Sequence, residues 1–265
     1  MIDNNVEISI VIISWKMRDL LERCLKTIYD FTKNVTFEII VVDNNSLDGT
    51  SEMIQNDFPE VRLIKNSENK GVAPARNQGI SKTRGKYILI LDADMELVEN
   101  SIKQLYDFME SNPAAGIVGC KLVDKDFNLQ FSCKRFPTIT AFLFRRLEWI
   151  DSIKNSKTLK HHTMQDWDHS EIREVDYLIG ACQFFRKEVV DKIGMYDDKI
   201  FYGPEDIDFC LRIWKAGWKV YYYPFTKIIH HEQRITKKNL FSKISMKHFA
   251  GIFYLYRKYN FRIKV

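Results

Sequence analysis

Two carboxylates bracket one small residue in Asp92-Ala93-Asp94, directly after an apolar run. At a strand end both can reach one hard cation. Mg2+ and Mn2+ take oxygen ligands, and Mg2+ typically keeps one or two carboxylates beside substrate phosphates. The same residues alone also make an ordinary polar turn. A second group is Gly203-Pro204-Glu205-Asp206-Ile207-Asp208, with acidic residues crowded at a helix start. Compensation of the helix dipole accounts for one or two of them. Asp206 held rigidly near a cleft also suits a general base, so cap and base stand as alternatives. His230-His231 follows an extended run. Histidine is a frequent metal ligand, although a histidine placed there is more often packed or hydrogen-bonded. Residues 69–79 contain Gly71, Arg76 and Asn77 but neither a GxGxxG fingerprint nor the Lys-Ser/Thr of a P-loop. A helix N-terminus bearing Arg76 can approach a phosphate or base; the alternative is a surface arginine that only stabilises its helix.

The elements that must position these groups alternate. Residues 8–14 form a near-continuous β-branched run, as in a parallel strand buried on both faces. Residues 19–31 place Leu20, Leu21, Cys24, Leu25, Ile28 and Phe31 at helical spacing. A second buried strand at 37–42 ends in Asp43, followed by the turn formers of 44–49. A short helix, a strand at 61–65 and a helix at about 72–83 lead to a fourth strand at 87–91. A helix at 99–111 and a fifth strand at 117–122 follow. This order predicts an α/β fold with an open parallel sheet. In such sheets functional groups collect at the carboxyl ends of the strands, where Asp43 and Asp92/Asp94 sit. Between 134 and 173 the regularity fails. Aromatics, Arg145, Arg146 and His161-His162 suggest an acceptor-side loop or flap. Residues 177–186 read as a strand, 187–193 as a short helix and 204–216 as a helix with proline in its first turn. Residues 219–223 and 227–229 read as extended.

The chain has 265 residues, 45% hydrophobic and 28% charged, a globular balance. No apolar run reaches the roughly 18 residues of a spanning helix. Residues 1–7 lack the basic region of a signal peptide. A cytoplasmic protein is expected, touching a membrane only peripherally, from its inner face. Five cysteines without a CxxC pair argue against a zinc site or disulfide framework and for buried thiols. The net charge of +5 is uneven: residues 233–265 hold nine Lys or Arg and no acid, leaving 31 basic against 35 acidic residues elsewhere. In that tail, bases such as Lys237, Lys238, Lys247 and Lys258 alternate with Phe241, Phe249, Phe253 and Tyr256. Residues 239–259 are compatible with a helix sharing Phe249, Ile252, Phe253 and Tyr256 on one face. Such a helix suits an anionic membrane surface; the catalytic body or a second subunit in a homodimer is the alternative partner. The acidic body and the absence of a binding motif argue against nucleic acid.

The segments Val41-Val42-Asp43-Asn44-Asn45-Ser46-Leu47-Asp48-Gly49-Thr50, 69–80, Leu91-Asp92-Ala93-Asp94, Gly180-Ala181-Cys182, 194–212 and Ile229-His230 together resemble the large family 2 of inverting glycosyltransferases. The likeness runs in the family's order over about residues 8–231 and is strongest to its rhamnosyltransferase-like and galactofuranosyltransferase-like branch. It implies a GT-A fold: a mainly parallel sheet flanked by helices over residues 1–232, followed by a helical basic extension, 233–265. The nucleotide-binding half would be about 1–125 and the acceptor-side half about 126–232. It implies transfer of a hexose-type sugar from a UDP- or dTDP-sugar to a glycan or lipid-linked acceptor, in cell-surface polysaccharide synthesis. By resemblance Asp43 reads the pyrimidine, Ser14 and Trp15 line the base pocket, and Arg76 lies near the base or diphosphate. Asp92 faces the ribose and metal water shell; Asp94 and His230 bind Mg2+ or Mn2+. Asp206 is the catalytic base and Glu205 its orienting neighbour. Ser14-Trp15-Lys16 stands where the family usually has Thr-Tyr-Asn. Two rival readings are a nucleotidyltransferase making the activated sugar and a non-catalytic sugar-nucleotide-binding protein. The first lacks its glycine-rich loop after the first strand, and the second is opposed by an intact set of acidic residues and histidine.

Overall fold

A computed structural model describes residues 6–233 and 243–264 of the protein. Along the chain run β1 (Ile8–Ser14), α1 (Arg18–Phe31), β2 (Phe37–Asp43), α2 (Thr50–Asp57), β3 (Arg62–Lys65), α3 (Val72–Ile80), β4 (Tyr87–Asp92) and β5 (Met95–Leu97). Next come α4 (Ser101–Ser111), β6 (Ala115–Val123), β7 (Leu129–Gln130), β8 (Cys133–Lys134), α5 (Ile139–Arg146), α6 (Asp151–Lys154) and α7 (Lys157–His162). The chain continues through β9 (Arg173–Glu174), β10 (Tyr177–Leu178), β11 (Cys182–Arg186), α8 (Lys187–Ile193), α9 (Glu205–Lys215), β12 (Lys219–His230) and α10 (Lys243–Lys258).

The main sheet has the order β3-β2-β1-β4-β11-β6-β12-β5. β1 pairs in parallel with β2 and β4, β2 with β3, and β6 with β12. The sheet is mainly parallel but not uniformly so: β11 lies antiparallel between β4 and β6. An apolar run carries no sign of its direction, so this reversal is a property of topology. The expected strand over 177–186 is also broken into β10 and β11 by Ile179-Gly180-Ala181.

Side chains alternate across the sheet, as period two demands. Ile8, Ile10 and Ile12 meet Leu21, Leu25 and Ile28 of α1 and Ile102 and Leu105 of α4 on one side. Val11 meets Ala73 and Ile80 of α3, Ile207 and Leu211 of α9, and Ile252 and Leu255 of α10 on the other. The stretch expected to be an irregular flap holds α5, α6 and α7. They are too short to print a helical period, yet two are capped. Thr138 Oγ1 accepts from the Ala141 N–H at 3.1 Å and Ser156 Oγ from the Leu159 N–H at 3.3 Å. All five cysteines are free and buried. Among the described residues no helix is long and apolar enough to cross a membrane.

The helix expected over 239–259 runs as α10, and its expected single apolar face is divided. Ile252, Leu255 and Tyr256 are buried, while Met246, Phe249 and Phe253 are 58%, 44% and 63% exposed. Lys237, Lys238 and Phe241 lie outside the described residues. Polar contacts lock the buried side. Lys258 Nζ reaches Asp197 at 2.7 Å and Asp208 at 2.6 Å, Tyr259 donates to Asp208 at 2.8 Å, and Tyr256 donates to the Pro137 carbonyl at 3.0 Å.

α3 approaches β1 closely enough that a Cβ on Gly79 would fall on Val11 Cγ1. Gly79→Ala gains about 1 kcal/mol of helix propensity. A buried β-branched side chain cannot step aside, so overpacking of about 1–3 kcal/mol outweighs the gain. The urea midpoint should fall; an unchanged or raised midpoint would contradict this contact.

Candidate active site

The carboxyl ends of β1 and β4, the break before β11, the first turn of α9 and the end of β12 surround a cleft of about 360 Å3. Trp15, Asp92, Asp94, Glu205, Asp206 and His230 all line it. Of the residues to which the resemblance gave a role, Ser14 and Asp43 are not on its wall, and His231 is off it too.

Beneath the cleft lies Arg76, 2% exposed. Its Nη1 donates to Glu205 Oε1 at 2.8 Å, and its Nη2 donates to Asp92 Oδ1 at 3.0 Å and to the Gly180 carbonyl at 2.7 Å. Burial of a charge requires such partners. Glu205, on the first turn of α9, is 5% exposed, and its second oxygen has no hydrogen-bond partner. Burial pushes its carboxyl up to about 7 against the pull of Arg76. Gly180 is required here because a Cβ would fall on the Arg76 guanidinium.

The β12–β5 register sets His230 opposite Met95 and so beside Asp94. His230 Nε2 lies 3.7 Å from Asp94 Oδ1, and the two residues are 8% and 5% exposed. Gln130 fixes the imidazole. Its Nε2 donates to the His230 carbonyl at 3.0 Å, which leaves Oε1 to accept from Nδ1 at 2.8 Å. The Nε2 lone pair then faces Asp94. Burial lowers the His230 pKa, keeping the ring neutral. Burial, and then the charge of Asp92, push Asp94 up to about 7. A carboxylate and an imidazole lone pair facing each other at 3.7 Å make a donor pair open to one divalent cation, the carboxylate being the oxygen ligand that Mg2+ or Mn2+ takes. Among the described residues no three His, Cys, Asp or Glu side chains gather into a cage of their own. The donor set therefore fits a cation completed by substrate phosphates. His231 is turned away: its Nε2 lies 2.7 Å from Glu96 Oε2, and its N–H donates to the Asp94 carbonyl at 2.9 Å. Asp92 faces the cleft with one oxygen committed to Arg76.

Asp206 accepts from the Gly180 N–H at 3.2 Å and from the Ile207 N–H at 2.8 Å. It also lines a second cavity of about 160 Å3, which shares Arg145, Ile179, Gly203 and His248 with the cleft. The carboxylate thus stands at the junction of two spaces.

At the strand ends, Ser14 pairs with Asp43 across β1 and β2. Ser14 Oγ is buried without a partner, and Trp15 lines the cleft. Asp43 is 7% exposed and accepts from the Ser46 N–H at 2.9 Å and the Ser51 hydroxyl at 2.6 Å. Those bonds brace the loop after β2. Asn44 reaches the wall instead, joined to Asn69 Oδ1 and the Gly71 carbonyl at 3.1 Å each. Asn44, Asn69 and Gln130 were not singled out in the sequence. Single amides carry no spacing signal, although Asn44 and Asn69 both lie within the motifs that carry the resemblance.

A family model described as Glycosyl transferase family 2 matches residues 9–194. The N-acetylglucosaminyl-diphospho-decaprenol L-rhamnosyltransferase of Mycobacterium tuberculosis is 24% identical over 93% of this chain and 83% of its own length. The low-salt glycan biosynthesis hexosyltransferase of Haloferax volcanii is 23% identical over 85% of this chain and 67% of its own. Among solved structures, GalNAc-T7 with UDP, GalNAc and Mn2+ gives a TM-score of 0.63 at 18% identity, covering 86% of this chain and 44% of that one. The mannosyltransferase PcManGT from Pyrobaculum calidifontis, in complex with GDP-Man and Mn2+, gives 0.60 at 18% identity over 87% and 58%. This chain spans about half of each of those two, and the likeness is one of fold.

Arg76→Met strands two carboxylates and should cost about 3–5 kcal/mol at neutral pH. The folded pKa of Glu205, about 7, lies above the 4.5 of a free glutamate side chain. Neutral Glu205 therefore favours the fold: its contribution is full below the unfolded value and is lost as pH rises through about 7. The deficit of Arg76→Met should accordingly be smaller at pH 5 than at pH 8. Urea unfolding at both values measures it; an equal deficit would mean that Glu205 carries no charge for Arg76 to balance.

Proposed function

Given that this chain belongs to glycosyl transferase family 2, we propose that it moves a sugar from a UDP- or dTDP-sugar onto a hydroxyl of a glycan or lipid-linked acceptor, with inversion and with a divalent cation. The observation that carries the reading is Asp206, a carboxylate bordering both the cleft and the second cavity. A donor in the first and an acceptor in the second would meet there.

Asp206 takes the acceptor's proton as its oxygen attacks the anomeric carbon from the face opposite the diphosphate. One carbon–oxygen bond forms as the bond to the diphosphate breaks, and the electron pair leaves with that diphosphate. A single displacement inverts the anomeric configuration. The Gly180 and Ile207 N–H groups aim the carboxylate. Asp94 and His230 would hold Mg2+ or Mn2+, with Asp92 beside its water shell. A bound cation offsets the charge gathering on the departing diphosphate. Trp15 and Ser14 would border the base. Asp43 would accept the N3–H of uracil or thymine through lone pairs not used by Ser46 and Ser51. The setting in this reading is cytoplasmic synthesis of a surface glycan. Met246, Phe249 and Phe253, exposed beside Lys247, support peripheral contact with a membrane or a second subunit.

Asp206→Asn keeps size and removes basicity, so single-turnover transfer should fall by about a hundredfold or more. UDP affinity, by calorimetry, should hold. Loss of UDP binding with surviving chemistry would assign Asp206 a structural part instead.

Gln130→Ala frees the His230 ring, and such outer partners are worth about 10- to 100-fold in metal affinity. The Mn2+ concentration giving half-maximal donor turnover should rise accordingly, and Asp94→Ala should abolish turnover. Activity of Asp94→Ala in chelator equal to wild type would remove the cation from the mechanism.

A further inference from the structure

The walls of the second cavity divide by chemistry. Pro137, Phe142, Ile252 and Leu255 make one side apolar, and Lys134 and Arg145 put two cations on it as well. Among the described residues neither side chain is held in a hydrogen bond or a salt bridge, although Asp206, Glu148 and Glu232 act on Lys134 from a distance. His162 adds no negative charge: its Nδ1 donates to the Arg135 carbonyl at 2.8 Å, and burial with the neighbouring Lys134 and Arg145 holds it neutral. Burial, and then Arg145, also push the Lys134 ammonium down to about 7. Asp206 is the acid on this wall, and it is committed to two backbone N–H groups. Two unpaired cations facing a partly dehydrated space are costly unless an anion completes them. Lys134 borders only this cavity, whereas Asp94 and His230 border only the cleft. The anion that Lys134 awaits is therefore not the one gathered at the donor site.

We propose that this cavity binds a phosphate carried by the acceptor: Lys134 and Arg145 hold the phosphate or diphosphate joining an acceptor sugar to a lipid, and Phe142, Ile252 and Leu255 receive the first carbons of the chain. This rests on the transferase reading, and it adds that the acceptor is a phosphorylated lipid rather than a free glycan. Lys134 and Arg145 are positioning residues for that acceptor, and Asp206 lies beside them to meet its hydroxyl.

The test titrates the full chain, saturated with UDP and Mg2+, with farnesyl diphosphate, inorganic pyrophosphate and farnesol. Lys134→Gln and Lys134→Arg are compared with wild type, and Arg145→Gln replaces the first should it not fold. Farnesyl diphosphate should bind wild type about tenfold or more tighter than it binds Lys134→Gln, one charge-assisted contact being worth that much. Lys134→Arg should recover most of the affinity, and UDP binding should be the same throughout. Pyrophosphate and farnesol should each bind more weakly than the molecule that joins them. Equal affinity of wild type and Lys134→Gln for farnesyl diphosphate, or none in wild type, overturns the subsite. Pyrophosphate binding as tightly as farnesyl diphosphate overturns the lipid part. Loss of UDP binding with the Lys134 dependence intact brings down the transferase reading alone.

Discussion

A buried guanidinium is stable only where several acceptors converge on its plane. Arg76 meets that condition with the end of β4, the break before β11 and the first turn of α9. Two of these segments carry Asp92, Glu205 and Asp206 on the cleft wall. Moving any one would leave a charge unpaired, so their relative placement follows from one side chain. Gly180 is the tightest point. Its carbonyl serves Arg76 and its N–H serves Asp206, so the same residue that closes the arginine's shell also aims the carboxylate between the two cavities.

Part of the unmet polar demand lies around that fixed frame. Glu205 Oε2, Arg76 Nε and Ser14 Oγ are buried without partners. Asp94 and His230 face each other as acceptors, and Lys134 and Arg145 stand opposite as unpaired cations. Groups held in this state lose little reorganisation energy when charge arrives, which is how a site is prepared for a polar reaction. Asp94 and His230 border only the cleft and Lys134 only the second cavity, while Arg145 stands with Asp206 at the junction of the two.

Much of the fold was legible because β1, β2, β4 and α9 are long enough to print a period or a continuous apolar run. β5 and β7 to β10 have two or three residues each and print nothing. The reversal of β11 depends on how the chain returns, not on which residues it contains. At the site, the order of motifs pointed to Asp94 and His230, and a strand's alternation separates His230 from His231. Arg76 was expected near a base or diphosphate and is buried beneath the cleft, paired with Asp92 and Glu205. The small residues Ala73, Ala75 and Gly79 on α3 were the available signal that this helix packs tightly and takes its arginine inward. Gln130 had no signal, since its value comes from a two-residue strand laid beside β6. The loop bonds of Asp43 to Ser46 and Ser51 were likewise unreadable, because an acidic residue at a strand end looks the same whether it braces a turn or faces a ligand.

α10 contributes no strand to the sheet and no partner to Arg76, yet His248, Ile252, Leu255 and Tyr256 wall the second cavity. The other walls of that cavity come from β8, β10, α5, α7 and α9, while this one is pinned by Lys258 and Tyr259 to Asp208. Changes along this helix reach the second cavity through Ile252, Leu255 and Tyr256, and the cleft only through His248. Substitution on the helix after β12 would reshape that cavity while leaving every partner of the arginine clamp in place, because none of those partners lies on it.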